Sequence, residues 1–69
     1  MSVYRVTEVI GTSATSWEDA AKEALAATAG SLRDLRVAEV VKLDIALTAD
    51  GQVEAYRAKL NISFKYDKA

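Results

Sequence analysis

VAEVVKLDIALTADGQVEAYRAKLNISFKY, from Val37 to Tyr66, decides how this chain folds. Two long runs of strand-forming residues are broken once, at Asp50-Gly51. Asp-Gly between alternating runs is the strongest short-range hairpin signal, because both central residues of a type I′ turn take positive φ. The pattern predicts a two-residue turn closed by Ala49 and Gln52, with Asp50 as a turn former. In that register Asp44 faces Arg57 and Lys42 faces Lys59. Val37, Glu39, Val41, Leu43, Ile45 and Leu47 share one face with Glu54, Tyr56, Ala58, Leu60, Ile62 and Phe64. Two glutamates apart, that face is apolar and needs a cover. The opposite face is mixed.

Working outward, Ser2 to Ile10 (SVYRVTEVI) alternates as a strand. Tyr4, Val6 and Ile10 form its predicted core face, with Glu8 among them either paired with a lysine or arginine or contacting a ligand. Gly11 to Ser16 (GTSATS) reads as a turn rich in capping hydroxyls. Ser16 is the preferred N-cap, ahead of Thr15, which places Trp17, Glu18 and Asp19 in the first helical turn. Trp17, Ala21, Ala24, Leu25, Thr28 and Leu32 recur at helical spacing. The stripe predicts a helix from about Trp17 to about Arg33, with a stop at Ala29 as the alternative. Its alanines let helix and strand backbones approach closely. Trp17 anchors either the core or an interface.

Strand, helix, strand, strand has one simple solution. The helix is a right-handed crossover between two parallel strands, and the last strand inserts antiparallel between them. The expected fold class is α+β: a β-α-β-β protomer with a three-stranded, antiparallel-type sheet in order 1-3-2, half-wrapped around one helix. The whole chain, residues 1–69, makes one domain, with 67–69 as a flexible tail. Hairpin arms of about 11 or 12 residues exceed the usual strand and outreach one helix. Both sheet edges are bare. A homo-oligomer covering the hairpin is expected.

Composition narrows the function. The chain has no cysteine and no histidine, which removes disulfides, thiolate sites and the commonest neutral-pH base. Nine basic against ten acidic residues leave a net charge of −1, which argues against a nucleic-acid partner. No apolar run approaches the length of a membrane span, and no signal-peptide pattern opens the chain, so a cytoplasmic protein without a membrane partner is expected. No nucleophile–base pair and no phosphate loop is visible, so the chain is read as no enzyme. A hard cation held by oxygen ligands is the more open chemistry. Asp44 opposite Arg57 is either a plain ion pair or a polar contact in a ligand pocket.

VYRVTEVIGTSATSWEDA (Val3–Ala20), LRDLRVAEVV (Leu32–Val41), Asp50-Gly51 and AYRAKLNISFKY (Ala55–Tyr66) together resemble the dodecins across nearly the whole chain. The resemblance implies a β-α-β-β protomer in a hollow homododecamer of 23 symmetry. Flavin-binding dodecins use a tryptophan that stacks on the isoalloxazine and a glutamine that hydrogen-bonds its polar edge. By motif these positions fall on Val37 and Arg57. Valine has no ring to stack, and arginine has no acceptor for the imide proton. That departure resembles the calcium dodecin branch and implies calcium-binding or storage. FMN or riboflavin in an altered pocket, and a purely structural assembly, are the alternatives. No ligand positions carry over for the metal, so the acidic Glu8 and Asp44 are its candidates on chemical grounds. In the ideal register Val37 and Arg57 lie on opposite faces, so either a bulge shifts one arm or the site joins different protomers.

Overall fold

The computed structural model describes residues 2–66, so the expected tail at 67–69 lies outside the described residues. Its elements are β1 (Tyr4–Ser13), α1 (Trp17–Ala29), β2 (Leu35–Leu47) and β3 (Val53–Lys65). Sheet order is β1-β3-β2, with β3 antiparallel to both neighbours, as the crossover topology requires.

Helix α1 begins where the hydroxyl pattern puts it. Ser16 Oγ accepts from Asp19 N at 3.0 Å, satisfying one of the first-turn donors. Asp19 does not reach back to the cap as in a capping box. Its carboxylate accepts from Ser13 Oγ at 2.8 Å, and Ser13 Oγ in turn accepts from Thr15 N at 2.9 Å. The helix ends at Ala29, not Arg33: Gly30 caps it, and Ser31 and Leu32 turn their N–H groups back onto Thr28 O. Asp34 then enters the left-handed region, at φ 61°, to redirect the chain into β2.

The helix lies over β1 and β3. Its buried residues are Ala20, Ala24 and Thr28, which meet Ala58, Leu60 and Ile62 of β3. On β1 the partners of those three strand residues are Gly11, Val9 and Thr7. This corrects the face expected for β1: Tyr4, Val6 and Ile10 lie on the open side, with Val6 64% and Ile10 52% exposed. Gly11 is also not a turn residue. It sits inside β1, where an added Cβ would stand 2.0 Å from Ala20 O and 2.9 Å from Ala24 Cβ. The larger aliphatic face of β1 cannot come this close to a helix, whereas the face carrying glycine can.

The hairpin turn also differs from the two-residue form. Gly51 N donates to Thr48 O at 3.0 Å and Thr48 N to Gln52 O at 2.8 Å, so Ala49, Asp50 and Gly51 form a three-residue loop. Only Gly51 has positive φ, 85°; such a loop needs one left-handed residue, not two. Asp44↔Arg57 and Lys42↔Lys59 pair as expected. Away from them the register shifts three times, leaving Glu54, Val41 and Arg36 without a direct partner. The shift at Val41 moves Ala38 and Val40 beneath the helix side and sends Val37 and Glu39 to the open face, opposite Ser63 and Asn61.

Little of this is a self-sufficient core. Leu60 and Ile62 are the largest fully buried side chains. The radius of gyration is 14.1 Å, and the molecule measures 51 × 20 × 16 Å. A compact chain of this length would have a radius of about 11 Å. The far half of the hairpin simply projects beyond the helix.

Candidate functional site

The open face of the sheet gathers the charged residues. Strand β3 contributes Arg57 and Lys59, β2 contributes Lys42 and Asp44, and β1 contributes Glu8 and Ile10; their placement follows from the Asp44↔Arg57, Lys42↔Lys59 and Ile10↔Lys59 pairings. A hollow of 70 Å³ lies among Ile10, Lys42, Asp44, Arg57 and Lys59.

Asp44 is held from two directions. Arg57 Nε donates to its Oδ1 at 2.7 Å and Nη2 to its Oδ2 at 3.3 Å, a fork-on-fork pair. From the helix side, Trp17 Nε1 donates to the Asp44 carbonyl at 3.0 Å. The Trp17 ring packs edge-on against Tyr56, centroids 5.3 Å apart, so the tryptophan ties the helix start to the hairpin. The Arg57 hydrogen bonds hold the Asp44 carboxyl below its ordinary value, and the same contact raises the Arg57 guanidinium. Glu8 is paired more loosely, with Lys59 Nζ 3.6 Å from Oε1.

These contacts test the metal candidates. Calcium takes six to eight oxygens at roughly 2.3–2.6 Å. Among the described residues no three acidic side chains come together in a way that could hold a metal ion. Glu8 and Asp44 share the open face, but each carboxylate already faces a cation. Among the described residues of one protomer, then, no cluster of carboxylates is assembled to hold calcium.

The other candidate pair is rearranged by the bulge. Val37 and Arg57 share the open face once Val41 is unpaired, so the apparent conflict of faces disappears. They still do not meet. Val37 pairs with Ser63, six positions along β3 from Arg57, which is about 20 Å of strand. Any pocket using both must take them from different copies. Two participants were missed from sequence: Ile10, assigned to the core, and the Trp17 N–H, whose target could only be found by folding the helix onto β2.

A small β-α-β-β protein, its sheet curled around one alanine-rich helix and its charged face left open, is one well-defined class. The chain belongs to the dodecin family, whose model matches residues 3–67. It is 51% identical over 65 residues to the calcium dodecin of Mycobacterium tuberculosis, covering 94% of this chain and 90% of that protein. The crystal structure of that organism's calcium dodecin, described as calcium-chelating with a novel calcium-binding site, superposes with a TM-score of 0.85 at 47% identity, covering 99% of this chain and 96% of the other. Dodecin from Streptomyces coelicolor gives a TM-score of 0.91 at 32% identity, with coverages of 99% and 96%. Dodecin-fold proteins typically assemble as homododecamers. No helix among the described residues is long and apolar enough to cross a membrane.

Proposed function

We propose that this chain is a non-enzymatic calcium-binding or storage protein that works as a hollow homododecamer of 23 symmetry in the cytoplasm. The observation that carries the reading is the unfinished protomer. Large apolar residues such as Val6, Ile10 and Leu47 stand open, and no metal-holding group forms within the described residues of one copy. Calcium is then bound where copies meet, and Glu8 and Asp44 are the carboxylates this chain offers, each released from its cation as partner oxygens approach. The relation to a calcium dodecin supports the choice of ion.

Isothermal titration of chelator-treated, assembled protein with calcium should give saturable heat and a concentration-dependent rise in Tm. No heat and no stabilisation would remove the metal. The flavin reading is favoured by one observation, the common face of Val37 and Arg57. It is disfavoured by their chemistry, because Val37 has no ring to stack on a flavin and Arg57 has no acceptor for its imide proton. Riboflavin and FMN fluorescence should stay unchanged at protein excess. Two blank titrations would leave assembly itself as the function.

A further inference from the structure

We propose that the hollow over the Lys42–Lys59 pair is a binding site for a small oxyanion such as phosphate or sulfate. This goes beyond the calcium reading, does not rest on it, and concerns the metal-free protein, in which Asp44 and Glu8 keep their cations. The two lysines are direct cross-strand partners on the open face, an arrangement in which like charges repel unless something stands between them. Arg57 spends its Nε and one Nη on Asp44, so that carboxylate is already neutralised within the hollow. Lys59 has Glu8 at 3.6 Å, but Lys42 has no carboxylate within ion-pair distance among the described residues. Of the residues lining the hollow three are cations and one, Asp44, is a carboxylate already held by Arg57; Glu8 reaches Lys59 from outside the lining, which leaves Lys42 as the cation without an ion-pair partner among the described residues.

Size and walls agree with a small anion. The 70 Å³ hollow exceeds the ~10–15 Å³ that a single water needs, but it is far smaller than a drug-sized pocket of roughly 300 Å³ or more. Ile10 supplies an apolar wall, which strengthens charge pairing by excluding water from one side. Two ammonium groups donating from neighbouring strands match the tetrahedral spread of oxygens on phosphate or sulfate. A free ion fits entirely; the organic part of a phosphomonoester would have to lie outside.

The test is ³¹P line broadening of inorganic phosphate added to the chelator-treated full chain, at constant ionic strength held with chloride. Saturable broadening is expected for the wild type. Lys42→Gln should weaken it about tenfold, the loss of one charge-assisted contact, while Lys42→Arg should retain it. Lys42 makes no ion pair, so circular dichroism of both variants should match the wild type. Competition by glycerol phosphate as strong as by phosphate would assign the site to phosphomonoesters; weaker competition would assign it to the free ion. Equal broadening by wild type and Lys42→Gln, or none that saturates, would overturn the proposal. Calcium titration of the same Lys42→Gln sample reads the calcium hypothesis separately, so either can fail alone.

Discussion

Under the helix, Gly11, Ala20 and Ala24 press backbone against backbone, while across the sheet Lys42, Arg57 and Lys59 stand around a hollow with room left over. The covered face is closed within one copy only where the helix touches it; Val40, Leu43 and Ile45, on the same side, stay exposed. At the contact the residues are small because a helix must fit, and Leu60 and Ile62, the largest fully buried side chains, lie there. The open face is unfinished. One end carries Tyr4, Val6 and Val37 in the open, and the centre carries Ile10 among paired and unpaired charge.

The largest effect should come from breaking the covered face at its tightest point. Gly11→Val would drive a side chain into the Ala20 carbonyl, which belongs to the helix backbone and cannot rotate away. The expected cost is at least about 3 kcal/mol, enough to lose the folded protein in thermal melts at fixed chain concentration. A variant that melts like the wild type would show that the helix can ride higher over β1.

Ile10→Ser asks the same question of the open face. In a free protomer Ile10 is 52% exposed, and its replacement should change stability by less than about 0.5 kcal/mol. If partner copies cover it, the loss approaches about 2 kcal/mol per copy and appears as dissociation, with helix content kept. Sedimentation velocity separates the two. An unchanged assembly would mean that Ile10 serves only the hollow.

Smaller still is the effect of the Asp44–Arg57 pair. Its hydrogen bonds lower the folded-state pKa of Asp44 below 3.8, so the pair stabilises the fold above that value and is lost as pH falls through the lower, folded pKa. With no histidine or cysteine, no side chain of ordinary pKa titrates between about pH 5 and 8. Chemical denaturation should therefore give a flat stability over that range and a decline below 3.8. Asp44→Asn should lower the plateau and flatten part of the acid limb. A plateau identical to wild type would reduce the pair to a surface contact without energetic consequence.

The two faces also differ in how far the sequence could be read. Strand order, the Ser16 cap and the Asp44↔Arg57 pairing followed from periodicity and turn chemistry, all local or near the hairpin tip. What misled was alternation carried too far. Glu39 and Glu54 sat on the supposed apolar face, and irregularities at Val41 and Glu54 take both off it. Glu8 likewise marked the wrong face of β1, and the structure pairs it with Lys59 on the open side. An intruding carboxylate was, each time, the sign of a shifted register or an inverted face. Val41 has no chemical mark of a bulge, and Gly11 after a strand looks the same whether it turns the chain or admits a helix. Those two readings needed the tertiary contact. On the reading proposed above, the metal candidates depend on contacts beyond one chain, which no single sequence displays.

The finest test lies at the joint between the two regions, where Asp34 leads from the helix end into β2. Its φ of 61° is left-handed, which an aspartate tolerates better than a branched residue but less well than glycine. Lys65 N donates to Asp34 O at 3.1 Å, so the backbone there is held by the end of β3. Asp34→Gly removes the Cβ clash but lets the unfolded chain explore more conformations, and the two effects partly cancel. A net gain of about 0.5 kcal/mol is expected, read as a small rise in the urea midpoint with the slope unchanged. A loss instead would mean that the Asp34 side chain makes a contact worth more than the strain, and contacts between copies would be the place to look for it.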